Sequence, residues 1–462
     1  MTAVDRTRFP QPGPDPLFRF PVVVRRALPN GMRVWTVEHR DLPVVSFLVL
    51  LQAGAAADPC DRPGLAALTA DMLDEGSGSR SALDIEDALS RLGAQFETEV
   101  GSDATVVSLL TLSRCRDEAL GLLSEIVARP RLAESDFERV RELRLNRLMQ
   151  LRDLAPAVAD RAFARLLYPG HPYGHLPLGT AAALKATVPG DVCAFHAREW
   201  QPSRVTLVAV GDGTHDDLYA AADRAFGWWA GENHSAENHS RSDVRRAEIT
   251  PGAVLPPRVV ILDRPGAAQS ELRIGQIAVA RHTPDYHALL VLNAILGGQF
   301  VSRLNMNLRE DKGYTYGARS GFEFRRTPGP FVVQAAVQTG VTADAVREAL
   351  REVGDIAGPR PVTSDETAMA QAALTRGYPR NFETAGQIAR GLAQLALYDL
   401  PDDTLELFVP AVRAVDVDAV TVAAQRLDPD AMTITVVGDR ATIEPGLAAL
   451  GLGTPVVVDN QD

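Results

Sequence analysis

"RVTLVAVGD", residues 204–212, is a short apolar stretch that runs into Gly211-Asp212, and "AMTITVVGD", residues 431–439, repeats it into Gly438-Asp439. The offset between the two glycines, 227 residues, also carries Pro202 onto Pro429. Further upstream, "FARLLYPGHP" (163–172) and "GLAQLALYDLP" (391–401) each take a helical apolar stretch to a tyrosine, Tyr168 and Tyr398, 230 residues apart. Three echoes in one order imply a duplicated unit of about 200 residues, with a loop insertion accounting for the drift in offset.

Between the copies lies "WAGENHSAENHSRSDVRRAEITPGAVLPPR" (229–258), which repeats "ENHS", lacks apolar periodicity and ends in prolines, as a linker does. Its His234 and His239 read as residues of a solvated loop. The chain therefore divides into a first half over 20–228, a linker over 229–255 and a second half over 256–450. Within each half, strand-like runs adjacent in sequence ("VVSFLVLL", "AQFETEVGSDATVVSLLTLS", "SELRIGQIAVA", "GPFVVQAAVQTG") alternate with clustered amphipathic segments. Leu65–Asp74, Ala82–Leu92 and Glu134–Arg152 are the helices predicted for the first half, and Asp285–Leu296 one of those for the second. That order predicts an α+β fold with helices on one face of each sheet.

Composition narrows the function classes. A formal charge of −12, a pI near 5.3 and the absence of a Lys/Arg cluster with interleaved aromatics argue against nucleic acid or an anionic membrane as partner. The longest apolar stretch, "VVSFLVLL", is far short of the ~20 residues of a membrane span, and the first twenty residues hold no apolar signal region, so a cytoplasmic protein is expected. Cys60, Cys115 and Cys193 are odd in number and far apart, which reads as buried small side chains rather than a disulfide or metal framework.

Few motifs carry chemistry. His171 and His175 in "YPGHPYGH" are four apart, but Pro172 and Gly174 predict a turn rather than a helical metal pair. His196, His282 and His287 read as capping or half-buried histidines. "ILGGQFVSRLNMNLREDKG" has a Gly pair but neither the Lys-Ser/Thr of a P-loop nor a third glycine, so a close-packed turn suffices. In "NLREDKGYTYGARSGFEF", Arg309 nears the end of a helix stopped at Gly313 and Tyr316 lies on the next strand. A guanidinium and a phenol brought together across that turn could grip a peptide carbonyl and an oxyanion. An Arg capping helical carbonyls and a Tyr on a strand face account for the same residues.

The order of "ALPNGMRV", "GLAALTADMLDEGS", "YPGHPYG…LGT", "VTLVAVGD", "LGGQFVSRLNMNLREDKGYTYG" and "VVGD", over roughly residues 26 to 445, resembles the pitrilysin, or insulinase-like, zinc peptidases, which include the mitochondrial processing peptidase. The resemblance implies two homologous α/β-sandwich halves of processing-peptidase-like fold, each a mainly antiparallel sheet, forming a clam-like chamber around an extended peptide. Active members carry H-x-x-E-H on a first-half helix and a third, carboxylate ligand some seventy-odd residues later. Here the first His position falls on Ala67, the Glu on Ala70, the second His on Asp71 and the third ligand near Asn146. Those side chains do not make a zinc site.

The second-half signature is intact, and the resemblance assigns the catalytic roles to Arg309 and Tyr316, with Tyr314 as the weaker candidate. A chain with this combination resembles the zinc-free subunit of heterodimeric bacterial members: inactive alone, with no cofactor of its own. Its expected partners are a homologous zinc-bearing subunit with H-x-x-E-H and an extended peptide, and a homodimer is left open where that partner is absent. The strand with Glu97 corresponds to the one that pairs with substrate in relatives. The alternative is an inactive scaffold of the same fold.

Overall fold

The structure, a computed structural model, describes residues 13, 18–231 and 258–459, so the linker expected over 229–255, with His234 and His239, falls for the most part outside the described residues. In the first half the Asn30-Gly31 turn joins β1 (Val24–Ala27) to β2 (Arg33–Glu38). The sheet is completed by β3 (Val44–Leu51), β4 (Gln95–Val100), β5 (Thr105–Leu112) and β6 (Val205–Gly211), in the order β1-β2-β6-β3-β5-β4. The second half builds β7 (Val259–Asp263), β8 (Gln269–Ile277), β9 (Thr315–Phe322), β10 (Pro330–Gln338), β11 (Thr433–Gly438) and β12 (Val456–Val458), in the order β9-β10-β8-β11-β7-β12.

Reversing the second order and matching β2 to β7 through β6 to β11 superposes the two topologies, so the sequence duplication is a duplication of the sheet. The Val-Gly-Asp strands β6 and β11 are equivalent, and each runs parallel to one neighbour, β2 or β7. The remaining pairs are antiparallel, except for β12, which adds parallel to β7 where the first half has the antiparallel β1.

The helices that matter here are α1 (Leu65–Asp71), α2 (Ala82–Leu92), α3 (Arg116–Ala128), α4 (Glu134–Arg152), α5 (Ala155–Leu167), α6 (His215–Phe226), α7 (Tyr286–Leu296), α8 (Thr342–Asp355), α9 (Ser364–Arg376) and α10 (Ala385–Leu397). On one face of the first sheet, Val45, Phe47, Val49, Val107, Leu207 and Ala209 pack with Leu89, Leu120, Leu123, Leu218 and Phe226 of α2, α3 and α6. On the opposite face, Trp35, Leu48, Leu50, Val208 and Val210 pack against Ile388, Ala389, Leu392 and Ala396 of α10, a helix of the second half.

Coverage of both faces is why "VVSFLVLL" is apolar at every position but Ser46: all but its first residue are buried, where a strand wetted on one side would alternate. The exchange is reciprocal. Val158 and Ala159 of α5, from the first half, pack on Val260, Leu262 and Val437 of the second sheet. The two exchanged helices are the echo segments that end at Tyr168 and Tyr398. Helices on one face thus describes each half's own helices, and the second face of each sheet takes one helix from the other half.

Loops clasp the halves as well. Asp103, in the β4–β5 turn, accepts hydrogen bonds from the Tyr173 hydroxyl and from the backbone N–H of Arg326, and the Tyr168 hydroxyl donates to the Pro328 carbonyl at 3.0 Å. Residues 172–174 form a short 3-10 turn, as Pro172 and Gly174 predict: His171 Nδ1 accepts from the Tyr173 N–H, and His175 Nε2 lies 3.0 Å from the Asp58 carboxylate. The cysteines correct their expectation, because Cys60 and Cys193 are exposed and Cys115 is half-buried. No helix among the described residues is long and apolar enough to cross a membrane.

Candidate functional site

The α1 helix starts where Asp58, a buried carboxylate, accepts from the N–H groups of Gly64 and Ala66, both at 2.6 Å, satisfying two of the donors a helix start leaves open. Leu65, Leu68 and Met72 enter a core with Phe137, Val140 and Leu148 of α4. The helix ends at Asp71, three residues before the predicted end, because the N–H groups of Met72 and Leu73 bond back to Thr69 and Ala70 as a tight 3-10 turn.

Of the positions that H-x-x-E-H would fill, Ala67 at the first His and Ala70 at the Glu base are buried methyl groups, and Asp71 at the second His is ion-paired to Arg144 of α4. The α4 residue that meets Asp71 is therefore Arg144, while Asn146, where the third ligand was expected, is exposed. Among the described residues no three His, Cys, Asp or Glu side chains converge on a common point. Methyl groups, one carboxylate and a guanidinium do not fit a zinc ion, which needs three or four lone-pair donors.

Just beyond α1, burial, with the charges of Glu75, Asp71 and Glu86 adding to it, pushes the Asp74 carboxyl up to about 6. A carboxyl whose folded-state pKa lies above its unfolded value stabilises the fold when protonated, and that contribution is lost as pH rises from about 4 through 6. Asp74→Asn is therefore expected to raise the urea midpoint above pH 6 by on the order of 1 kcal/mol of stability, with no gain near pH 4. Urea titrations of both chains at pH 4 and pH 7.5 measure it, and an equal gain at the two pH values would refute the assignment.

In the second half, α7 runs into Gly297-Gly298. A Cβ at Gly297 would lie 2.5 Å from the Ser320 backbone N, so this pair is the close-packed turn expected of it. The turn lifts Phe300 into solvent, 65% exposed. A short helical segment, Arg303–Asn305, then widens into a π-helix over Met306–Asp311, an uncommon form often found at functional sites, and this segment carries Arg309. Gly313 turns the chain at φ 65°, a left-handed conformation that favours glycine, and β9 begins.

The β9 register slips between Thr315, opposite Val337, and Ala318, opposite Ala335, placing one extra residue on β9. This β-bulge reorients Tyr316. Simple alternation would put Tyr314 and Tyr316 on one face, whereas Tyr314 packs against the core and Tyr316 is 92% exposed. Thr315 holds the bulge, its hydroxyl accepting from the Gly317 N–H and facing the Ala336 carbonyl at 2.7 Å.

Arg309 and Tyr316 line one open pocket of about 370 Å³ with Phe300, Asn305, Arg319 and Gln334. The Arg309 guanidinium lies 4.0 Å from the Phe300 ring centroid, with Glu310 3.5 Å from its Nε. Among the described residues it caps no helical carbonyl, and Arg309 and Tyr316 both line the pocket. Sequence reasoning missed two supporting residues. Asn305 donates to the Gln299 carbonyl and accepts from the Ala318 N–H at 2.9 Å, tying the helical segment to the strand just after the bulge. Phe300 supplies the ring beneath Arg309. An amide among the apolar side chains of "SRLNMNL" was the available signal.

A second, larger cavity of about 1150 Å³ lies on the first half's sheet, between β4–β5 and the polar side of α10. Glu97 and Glu99 of the edge strand β4 face it, with Arg390 and Gln394 opposite.

The family model described as insulinase, peptidase family M16, matches residues 33–175, and the one described as the peptidase M16 inactive domain matches residues 188–374. An uncharacterized zinc protease of Mycobacterium leprae is 25% identical over 358 residues, 77% of this chain and 78% of that protein. The crystal structure of a peptidase M16 inactive domain from Pseudomonas fluorescens aligns with a TM-score of 0.82 at 27% identity, covering 90% of this chain and 98% of that one. A Helicobacter pylori protease shares the fold, with a TM-score of 0.82 at 18% identity over 91% of this chain and all of that one. Two six-stranded sheets of one topology, with the insulinase model over residues 33–175 and the inactive-domain model over residues 188–374, lead to one conclusion: the chain belongs to the M16, or pitrilysin-like, peptidase family.

Proposed function

We propose that this chain is the zinc-free subunit of a heterodimeric M16 metalloendopeptidase, and that it supplies Arg309 and Tyr316 to an active site completed by a homologous subunit bearing H-x-x-E-H. The observation that supports this reading is the pairing of opposites within one chain. The zinc positions hold Ala67, Ala70 and an ion-paired Asp71, while the π-helix and the β-bulge hold Arg309 and Tyr316 outward in one pocket. A phenol left 92% exposed on a bulged edge strand does little for stability, and it suits a surface that is completed by something else.

The zinc of the partner would supply a polarised, readily deprotonated water. The Tyr316 hydroxyl would donate to the oxyanion that forms at the scissile carbonyl, and Arg309 would hold a carbonyl of the substrate backbone through charge-assisted hydrogen bonds. The extended peptide would lie along exposed strand edges of the chamber walls.

Co-expression with a homologous H-x-x-E-H chain tests the reading. The two are expected to co-purify and to cleave an unstructured peptide, with neither active alone. A zinc-bearing chain as active without this one as with it would overturn the proposal. The scaffold alternative predicts association with activity indifferent to Arg309 and Tyr316.

A further inference from the structure

The structure assigns to Arg144 the place of the missing metal: an internal guanidinium, paired with Asp71, is the cation that ties α1 to α4 in this chain. The inference goes beyond the heterodimer proposal and does not depend on it, since it concerns the first half alone.

The buried stripe of α4 runs Phe137, Val140, Arg144, Leu148, at spacings of three and four residues that place all four on one face. Three of the four are apolar and join the α1 core; the third position is a charge. Its side chain is 8% exposed. Such a charge is costly to bury without a counter-charge. The carboxylate that answers it is Asp71, at the end of α1 and 44% exposed, which meets Nη1 from the solvent side, while Nη2 donates to the Pro177 carbonyl at 3.0 Å. The guanidinium therefore links three segments: the end of α1, the middle of α4 and the loop that follows the 172–174 turn.

That geometry has the connectivity of a metal site with the charges rearranged. A zinc ion bound by neutral imidazoles and a carboxylate draws two helices together through a central cation. Here the central cation is covalently part of α4, and of the ligand positions only 71 is needed, filled by a carboxylate in place of an imidazole. Ala67 and Ala70 fit the same logic: with the cation supplied by α4 no imidazole is required at 67, with no metal-bound water to activate no base is required at 70, and both methyls are buried. It follows that restoring ligands on α1 alone cannot restore a metal site, because Arg144 would place a positive charge beside the ion. The position on α4 that must change is 144, whereas Asn146 is exposed.

Three variants of the full chain carry the test, each read as zinc bound per chain after dialysis against metal-free buffer, with circular dichroism to confirm folding. Ala67→His/Ala70→Glu/Asp71→His with Arg144 retained is expected to hold less than a tenth of an equivalent. Adding Asn146→Glu leaves that unchanged, whereas adding Arg144→Glu instead raises it to near one. Near-stoichiometric zinc with Arg144 present, or with Asn146→Glu but not Arg144→Glu, would overturn the assignment.

A second measurement avoids the designed site, in case the multiple variants do not fold. Asp71→Asn is expected to lower the urea midpoint of the native chain clearly, and to lower it by less than a quarter as much in an Arg144→Met background, where no buried charge is left unanswered. Equal shifts in the two backgrounds would show that the pair does not tie the helices.

Discussion

Assembled with a zinc-bearing partner, Tyr316→Phe is expected to lower kcat about 100- to 1000-fold, the effect of removing one donor to a developing oxyanion, which is about 3–4 kcal/mol of transition-state stabilisation. The substitution removes a single oxygen from a side chain that is 92% exposed, so the fold and the association with the partner should be untouched. KM should move little, because the hydroxyl acts where charge develops rather than on the ground-state peptide. Arg309→Ala separates the two roles. Its guanidinium is held over Phe300 and serves substrate already in the ground state, so the loss should fall mainly on KM, by roughly 10- to 100-fold for charge-assisted bonds worth about 1.5–3 kcal/mol. Steady-state kinetics of the purified pair measure both. An unchanged kcat for Tyr316→Phe would remove the phenol from the mechanism and favour the scaffold reading.

The other large effect concerns the exchanged helices. Leu392 of α10 is fully buried against the first sheet although it belongs to the second half, and Leu392→Asp should abolish cooperative folding of the whole chain. Even Leu392→Ala should cost about 2–5 kcal/mol, the range for emptying a buried leucine site, and a buried carboxylate with no partner costs more. Trp35 is a natural reporter, since it sits on β2 in the first half and packs in the same cluster as Leu392. Its fluorescence during urea unfolding, read in a background with Trp200, Trp228 and Trp229 replaced by Phe, should shift to a lower midpoint for Leu392→Ala, together with the circular dichroism of the whole chain. A first half that unfolds unchanged, with only the second half weakened, would show that α10 is not part of the first half's core. The same packing predicts that residues 18–231 expressed alone expose Leu48, Leu50, Val208 and Val210 and stay insoluble, and that co-expression with residues 258–459 recovers both.

Much of this was readable along the chain. The two Val-Gly-Asp strands and the two helix-tyrosine segments announced the duplication, and they are now the equivalent strands β6 and β11 and the two exchanged helices α5 and α10. The Asn30-Gly31 turn followed from local chemistry, because the φ angle such a turn needs is set within a few residues, whereas the close packing at Gly297 is set by Ser320 on the next strand. The exposed cysteines did not follow. A cysteine's burial depends on which surface its helix or loop turns inward, and nothing local to Cys60 or Cys193 states that.

By itself the sequence determined that there are two copies of one α+β unit and that an Arg and a Tyr stand seven residues apart around a helix-stopping glycine. These are matters of composition and spacing, which survive without coordinates. Only the tertiary structure decided that each half lends a helix to the other, that Arg144 rather than Asn146 answers Asp71, and that a π-helix and a bulge aim Arg309 and Tyr316 outward together. Each of those rests on contacts between residues far apart in the chain. There the deciding energies are the burial of one apolar face on another and the need of a buried charge for a counter-charge, and no periodicity within a single segment records either.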